Sequence, residues 1–94
     1  MIHQLECEAQ HFEDIINNLK GFEVRKNDRD YKVNDFIGLN ELTPDNKSYT
    51  ERWTLVKISY IFSNTDFLKD GYVILGLTPC FIQENQGGSP IVFD

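Results

Sequence analysis

The longest strand signal in the chain, residues 48–62, is the feature that most constrains the fold. This run is rich in β-branched and aromatic residues, which favour strands. A second strand pattern occupies residues 36–43, and the intervening Pro44-Asp45-Asn46-Lys47 is a clear turn signal. The sequence therefore predicts an antiparallel hairpin over residues 36–62.

Three further strands are predicted outside this hairpin. Residues 2–7 alternate as a half-buried strand does, and residues 72–77 form a strongly apolar strand. Residues 21–26 also alternate, which predicts a strand with Phe22 and Val24 on its core face. The same period of two puts Glu23 and Arg25 on the opposite face, outside the core.

One amphipathic helix is predicted between the first two strands. Its apolar residues recur with helical spacing and are Phe12, Ile15, Ile16 and Leu19. Lys20 at its end suits the helix dipole, and Gly21 is the expected stop. The order of elements predicts a small α+β domain, a curled sheet or partial barrel of antiparallel hairpins with the helix closing one end. We expect the domain to occupy residues 1–80, followed by a C-terminal tail at 81–94.

The composition restricts the class of protein and its surroundings. A chain of 94 residues with 40% hydrophobic side chains is one domain with a real core. It contains no apolar run long enough to span a bilayer and begins without a signal peptide's pattern, so we expect a cytoplasmic protein with no membrane partner. Cys7 and Cys80 are then expected to be free thiols. His3 and His11 have no partner at metal-ligand spacing, so no metal site and no other cofactor is expected.

The densest cluster of charge lies at residues 20–31, K-G-F-E-V-R-K-N-D-R-D-Y. It holds four of the nine Lys and Arg residues of a chain whose net charge is −6. Arg25 and Arg29 have planar guanidinium groups that suit phosphate or carboxylate. The acids that can orient them are Glu23, Asp28 and Asp30. The acidic balance argues against bulk binding to nucleic acid but allows a small basic pocket.

The hairpin offers a second candidate cluster. If the turn centres on Asp45-Asn46, Glu41 lies opposite Thr50 and Leu39 lies opposite Arg52. An acid beside a base at the end of an apolar face is typical of a pocket mouth, and equally of a salt bridge at the rim. Trp53 alternates with Arg52, so we expect it to cover the outer surface of the sheet.

Residues 18–25, N-L-K-G-F-E-V-R, resemble the G-x-K-x-x-E-x-R signature of the ASCH superfamily, relatives of the PUA RNA-binding domains. The run R-K-N-D-R-D-Y-K-V-N-D at 25–35 is closer still to the small, often phage-encoded DUF3850 family. The resemblance extends over roughly residues 2–78. It implies a PUA-like β-barrel with a helix between the first two strands and a cleft between that helix and the barrel.

The resemblance implies function less directly. ASCH domains are proposed to bind RNA or nucleotides, and some relatives are an amidohydrolase of acetylated cytidine and a ribonuclease. In the amidohydrolase a threonine nucleophile occupies the position of Glu23, assisted by the lysine that matches Lys20, so threonine chemistry does not carry over. The chain also departs from the family pattern at Asn18, Gly21 and Asn34.

Two classes of function follow, and binding is the first choice because no nucleophile sits beside a base. A module that binds RNA, a nucleotide or a modified nucleoside would use Lys20, Glu23, Arg25, Lys26, Asn27, Arg29, Tyr31, Tyr49, Thr50 and Arg52. Tyr31 and Tyr49 are the expected stacking residues. A small hydrolase of a modified nucleoside or RNA would use Lys20, Glu23 and Glu41 for proton transfer. The acidic charge also allows a protein-binding decoy that mimics nucleic acid.

Overall fold

The computed structural model of the protein describes residues 1–63 and 66–86, the last seven of them as backbone only. The elements in chain order are β1 (Ile2–Cys7), α1 (Ala9–Ile16), β2 (Phe22–Lys26), β3 (Phe36–Leu42), β4 (Tyr49–Phe62) and β5 (Tyr72–Gln86). The one helix and five strands of these described residues confirm the predicted class, a small sheet-rich α+β domain with a curled half-barrel. β5 continues beyond residue 77, where the apolar run ends. Residues 87–94 of the predicted tail lie outside the described part of the chain.

The sheet has the strand order β1-β3-β4-β5-β2. β1 and β3 are parallel, and the other neighbours are antiparallel. The prediction of successive antiparallel hairpins is therefore wrong at β2, which pairs with β5. Residues 27–35 connect β2 to β3, which lies beside β1. β1 and β2 are therefore the two edges of the sheet formed by the described strands.

The core lies inside the curl, where α1 packs against the sheet. Phe12 is fully buried and Ile15 is 6% exposed. They belong to one cluster with sheet residues that include Leu5, Ile37, Leu39, Ile58 and Leu75. Cys7 is a free, buried thiol, and the side chain of Cys80 is outside the described part. Within the described residues, no helix is both long and apolar enough to cross a membrane.

The helix ends at Ile16, four residues before the predicted end. Asn18 adopts the left-handed conformation with φ 60°, which asparagine tolerates well. The backbone N–H groups of Leu19 and Lys20 then both donate to the Asp14 carbonyl, at 2.8 and 3.1 Å. Leu19 is 77% exposed, so it is not part of the apolar stripe. Lys20 consequently lies in the connection to β2.

The two faces of β2 are the reverse of the prediction. Glu23 is 4% exposed, whereas Phe22 and Val24 are 44% and 48% exposed. The period of two is correct, but the polar face points inward, because Glu23 and Arg25 pair with the buried β5 residues Leu75 and Val73. An edge strand can present apolar side chains outward when its inward charges are paired.

The β3–β4 hairpin contains an irregularity that changes its register. Leu42 pairs with Tyr49 as the predicted turn requires, but Leu39 lies opposite Thr54 and not Arg52. Glu51, with φ 73°, lies within this irregular stretch. Between the Asn40–Trp53 and Leu42–Tyr49 pairs β4 has two more residues than β3, and a shift of two residues keeps each side chain on the same face of the sheet. Trp53 pairs with Asn40 and is not part of the core cluster that contains Leu39, which agrees with its predicted place on the opposite face, but it is only 3% exposed there.

Candidate ligand-binding cleft

A cleft of about 600 Å³ opens where the end of β1, the start of α1 and the edge strand β2 meet. The lining side chains that bear on its chemistry are Glu6, Cys7, His11, Lys20, Phe22, Glu23 and Arg25. The early end of α1 creates this arrangement, because it leaves Lys20 free to turn toward β2. The cleft therefore combines charged groups, an aromatic ring and a thiol.

Glu23 is the buried centre of the cleft wall. One carboxylate oxygen, Oε2, accepts a hydrogen bond from Lys20 Nζ at 3.1 Å. The other, Oε1, accepts one from Arg25 Nε at 2.9 Å and lies 2.8 Å from Arg25 Nη2. The side chains of Lys20 and Arg25 are 15% and 23% exposed, against 5% for Glu23. A buried carboxylate thus holds two partly exposed cations in fixed positions.

Lys20 has further partners within the cleft. Its Nζ lies 3.0 Å from His11 Nδ1 and 5.3 Å from the centre of the Phe22 ring. An ammonium group only donates, so Nδ1 accepts and the ring proton is assigned to Nε2. That nitrogen is 3.7 Å from Glu8 Oε1. Contacts with His11 of α1 and with Phe22 and Glu23 of β2 therefore fix the position of the Lys20 ammonium group.

Arg25 of the edge strand β2 and Arg29 of the connection that follows it both bind the opposite edge strand, β1. Arg25 Nη2 donates to the Glu6 carbonyl, and Arg29 Nη1 donates to the Gln4 carbonyl at 3.3 Å. Both acceptors belong to the edge strand β1. Among the described strands β1 is at the edge of the sheet, so these side-chain donors bind backbone carbonyls of an edge strand. The two arginines have a structural role in closing the curl, whatever they bind in addition.

Cys7 lines the cleft but is poorly suited to act as a nucleophile. Burial, followed by the nearby negative charge of Glu23, raises the pKa of its thiol to about 12. The thiolate is the reactive form. Cys7 therefore remains a protonated, unreactive thiol at neutral pH.

Glu41 belongs to a separate cluster against the helix. Its Oε1 accepts a hydrogen bond from Thr50 Oγ1 at 2.7 Å and lies 3.6 Å from Arg52 Nη1. The same nitrogen of Arg52 is 3.4 Å from Glu13 of α1, and the guanidinium lies 5.1 Å from the centre of the Phe12 ring. Within the described part of the chain, the lining of the cleft does not include Glu41, Thr50 or Arg52.

The predicted site residues therefore divide into groups. Lys20, Glu23 and Arg25 come together in the cleft, and Arg29 and Tyr49 line a second cavity beside it. Lys26 and Asn27 lie at the exposed end of β2, where the Asn27 N–H bonds the Gly71 carbonyl. Asp30, expected to orient Arg29, pairs with Lys32 at 3.5 Å.

Tyr31 is a correction to the predicted set. It is 8% exposed and packs edge-on against the His3 ring, with the ring centres 4.8 Å apart. His3 is itself buried and bonds Asp35 at 2.8 Å. A ring held inside the core has no free face for a ligand, so Tyr31 is removed from the stacking candidates.

Sequence reasoning missed four of the side chains that bear on the chemistry of the cleft: Glu6, Cys7, His11 and Phe22. The apolar character of Phe22 predicts a place in the core, whereas its position beside the signature charges is the signal that it faces a site. His11 precedes the buried Phe12 by one residue, and this position on the helix places it toward Lys20. No local pattern in the sequence identifies that contact, since it depends on where the chain turns after Asn18.

The fold and the cleft together define a small curled-sheet domain with a polar site at the junction of its sheet edges. The sequence profile of Domain of unknown function (DUF3850) matches residues 2–77, so the chain belongs to this family. The comparison with curated proteins found no match.

Proposed function

We propose that the protein is a cytoplasmic PUA-like domain of the ASCH type that binds RNA, a nucleotide or a modified nucleoside in the cleft. The helix between the first two strands and the signature at residues 18–25 support the superfamily assignment. The bound molecule would present phosphate or carbonyl oxygens to Lys20 and Arg25.

The observation that carries this proposal is the arrangement around Glu23. Its buried carboxylate fixes Lys20 and Arg25 so that both face the cleft. Cations that are already positioned lose less conformational freedom when a ligand binds. Glu23 acts behind them as a positioning residue.

The other groups of the cleft favour a nucleotide over a simple anion. Two cations, Lys20 and Arg25, share the lining with three carboxylates, Glu6, Glu8 and Glu23. A ligand must therefore offer hydrogen-bond donors as well as acceptors, which base edges and ribose hydroxyls do. The exposed ring of Phe22 supplies an apolar surface for a base.

The test is an NMR titration of the labelled protein with nucleosides, modified nucleosides, nucleoside monophosphates and short RNAs. We expect shift changes to concentrate at the cleft and Lys20→Met to weaken binding by about tenfold, the loss of one charged hydrogen bond. Lys69→Met removes the same charge from an exposed site that does not line the cleft and should stay within about twofold. Shift changes spread evenly over the surface, or equal effects of both variants, would reject the proposal.

A hydrolase acting on a modified nucleoside or RNA is the second candidate. Lys20 contacts both Glu23 and His11 beside the open cleft, and such a group can polarise a substrate carbonyl while a neighbour transfers a proton. Glu41 has no part in this version, because its partners are Thr50 and Arg52. Mass spectrometry of modified nucleosides and short RNAs incubated with the protein tests it. Products that form equally with Lys20→Met would exclude this site.

A further inference from the structure

A second cavity, of about 430 Å³, adjoins the cleft along the edge of β1. Arg25 and Glu6 line both cavities. The two cavities therefore share the Arg25 and Glu6 side chains as a common border, and a ligand that occupied both would have to pass over Arg25.

The charge of the second cavity differs from that of the cleft. Its described lining contains two cations, Arg25 and Arg29, and one carboxylate, Glu6. In the cleft the carboxylates outnumber the cations. The second cavity is thus the better place for a phosphodiester, whereas the cleft is the better place for a base with its donors and acceptors.

Arg29 is suited to a phosphate that arrives from solvent. Its side chain is exposed, and it makes a long hydrogen bond of 3.3 Å to the Gln4 carbonyl. A guanidinium carries five N–H donors in a planar fork, so most of them remain for a ligand. Arg25 in contrast uses its Nε and Nη2 groups for Glu23 and the Glu6 carbonyl, so fewer of its donors remain for a ligand.

Tyr49 provides an aromatic surface at the same cavity. It is 56% exposed, and its hydroxyl donates to Glu6 Oε2 at 3.1 Å, which holds the ring at the cavity's edge. An exposed ring in a fixed position can stack a base of any sequence. Together with Phe22 in the cleft, this places one aromatic ring at each of the two adjoining cavities.

We propose that the ligand is a single-stranded oligonucleotide that crosses from the cleft over Arg25 into the second cavity, where Arg29 contacts a phosphodiester and Tyr49 stacks a base. This inference rests on the proposed function and extends it, because a mononucleotide fills the cleft alone. In this arrangement Arg29 and Tyr49 determine how long a ligand the protein prefers, whereas the cleft recognises the first nucleotide.

The experiment is a length series on the full chain, with nucleoside monophosphates and mixed-sequence oligoribonucleotides of two, three, four and six nucleotides. We expect the tetranucleotide to bind about tenfold tighter than the mononucleotide, a gain of the size that one stacked base supplies. Arg29→Ala should remove most of that gain and lower the log–log salt slope by about 0.7, the value of one phosphate on a single strand. It should leave the monophosphate Kd within about twofold.

Matched controls separate this path from the structural role of Arg29. Lys32→Ala removes one exposed charge from the same connection without touching either cavity and should preserve the length dependence. Tyr49→Ala leaves the hydrogen bond from Arg29 to the Gln4 carbonyl in place and should also reduce the preference for longer oligonucleotides. Tyr60→Ala, which removes a ring that is 64% exposed elsewhere on β4, should not.

The outcomes are distinguishable. Equal Kd values for the monophosphate and the tetranucleotide, or a uniform loss at every length in Arg29→Ala and Tyr49→Ala, overturn the two-cavity path and leave the single-nucleotide proposal standing. A matching deoxyribonucleotide series that binds equally well supports the path and assigns recognition to the shared backbone and bases. Failure of every mononucleotide and oligonucleotide to bind overturns the proposed function itself.

Discussion

Glu23 on β2 and Glu41 on β3 are both buried carboxylates near Cys7, yet they belong to regions with opposite relations to solvent. They are 4% and 6% exposed. Each accepts a hydrogen bond shorter than 3.2 Å and lies within 4 Å of a cationic side chain. Local chemistry alone therefore does not tell them apart.

The difference lies in what their cations face. Lys20 and Arg25, the partners of Glu23, line an open cleft. Arg52, the partner of Glu41, packs over the buried Phe12 ring and pairs with Glu13 of the helix. A buried acid–base pair thus indicates a site only when the paired base borders space that a ligand can enter. By this criterion the Glu23 cluster is the candidate site, whereas the Glu41 cluster joins the helix to the hairpin.

The largest expected effect is the loss of stability in Glu23→Gln. The substitution keeps the shape of the side chain but leaves Lys20 and Arg25 partly buried without their counter-ion, which should cost about 1–3 kcal/mol in the free energy of unfolding. Glu41→Gln should cost about 1 kcal/mol or less, because an amide oxygen still accepts from Thr50 and Arg52 keeps Glu13.

Urea unfolding of the two variants side by side measures this difference. Both substitutions remove one negative charge from a buried strand position, so each serves as the other's control. A larger loss of unfolding free energy in Glu41→Gln than in Glu23→Gln would mean that the Glu41 cluster contributes more to stability than the cleft wall does. The comparison would then be reversed.

The broad fold was predictable from the sequence, because strand and helix periodicity depend on local patterns. The helix end and the hairpin register were not. Asn18 ends the helix through a left-handed turn, three residues before Gly21, which the sequence pattern predicts as the stop. The register of the hairpin differs from the prediction because β4 is irregular around Glu51. The sequence of the turn contains no signal for this irregularity. Pairing of β2 with β5 depends on contacts distant in sequence, which periodicity does not contain.

The charged residues of the candidate site are predictable from the sequence, but the face of β2 on which they lie is not. Lys20, Glu23 and Arg25 were identified by their density and by the family signature, and they do come together. The face of β2 was misassigned because apolar residues usually point inward. Here the inward position of Glu23 is made tolerable by its two cations. Because Glu23 points inward, the neighbouring Phe22 points outward, where it lines the cleft.

A smaller effect should separate the two regions in function. Thr50→Val removes the hydroxyl that donates to Glu41 at 2.7 Å and should cost about 1 kcal/mol of stability, since Thr50 is exposed and water replaces part of the bond. Its ligand affinity should stay within about twofold of the unmodified protein, whereas Lys20→Met should lose about tenfold. Calorimetric titration beside thermal melts measures both quantities. Equal losses of affinity would place Thr50 back in the binding site, as the sequence alone suggested.

The smallest expected effect uses Cys7 as a reporter located near both carboxylates. Its raised pKa, about 12 against an ordinary 9.0, corresponds to a thiolate fraction about a thousand times smaller near pH 8. In a Cys80→Ser background, alkylation of the folded protein should therefore be far slower than that of the unfolded chain. Burial is the largest cause, so this slowness should persist in every variant that stays folded.

The two carboxylates should contribute unequally to that protection. The negative charge of Glu23 raises the Cys7 pKa more than that of Glu41 does. Glu23→Gln should accordingly lower the thiol pKa and speed alkylation more than Glu41→Gln. Rates must be measured at several urea concentrations and extrapolated, because the less stable variant also exposes Cys7 by unfolding. A faster reaction in Glu41→Gln after this correction would show that Cys7 reports on the hairpin cluster, and the assignment of Glu23 to the thiol's side of the cleft would then be wrong.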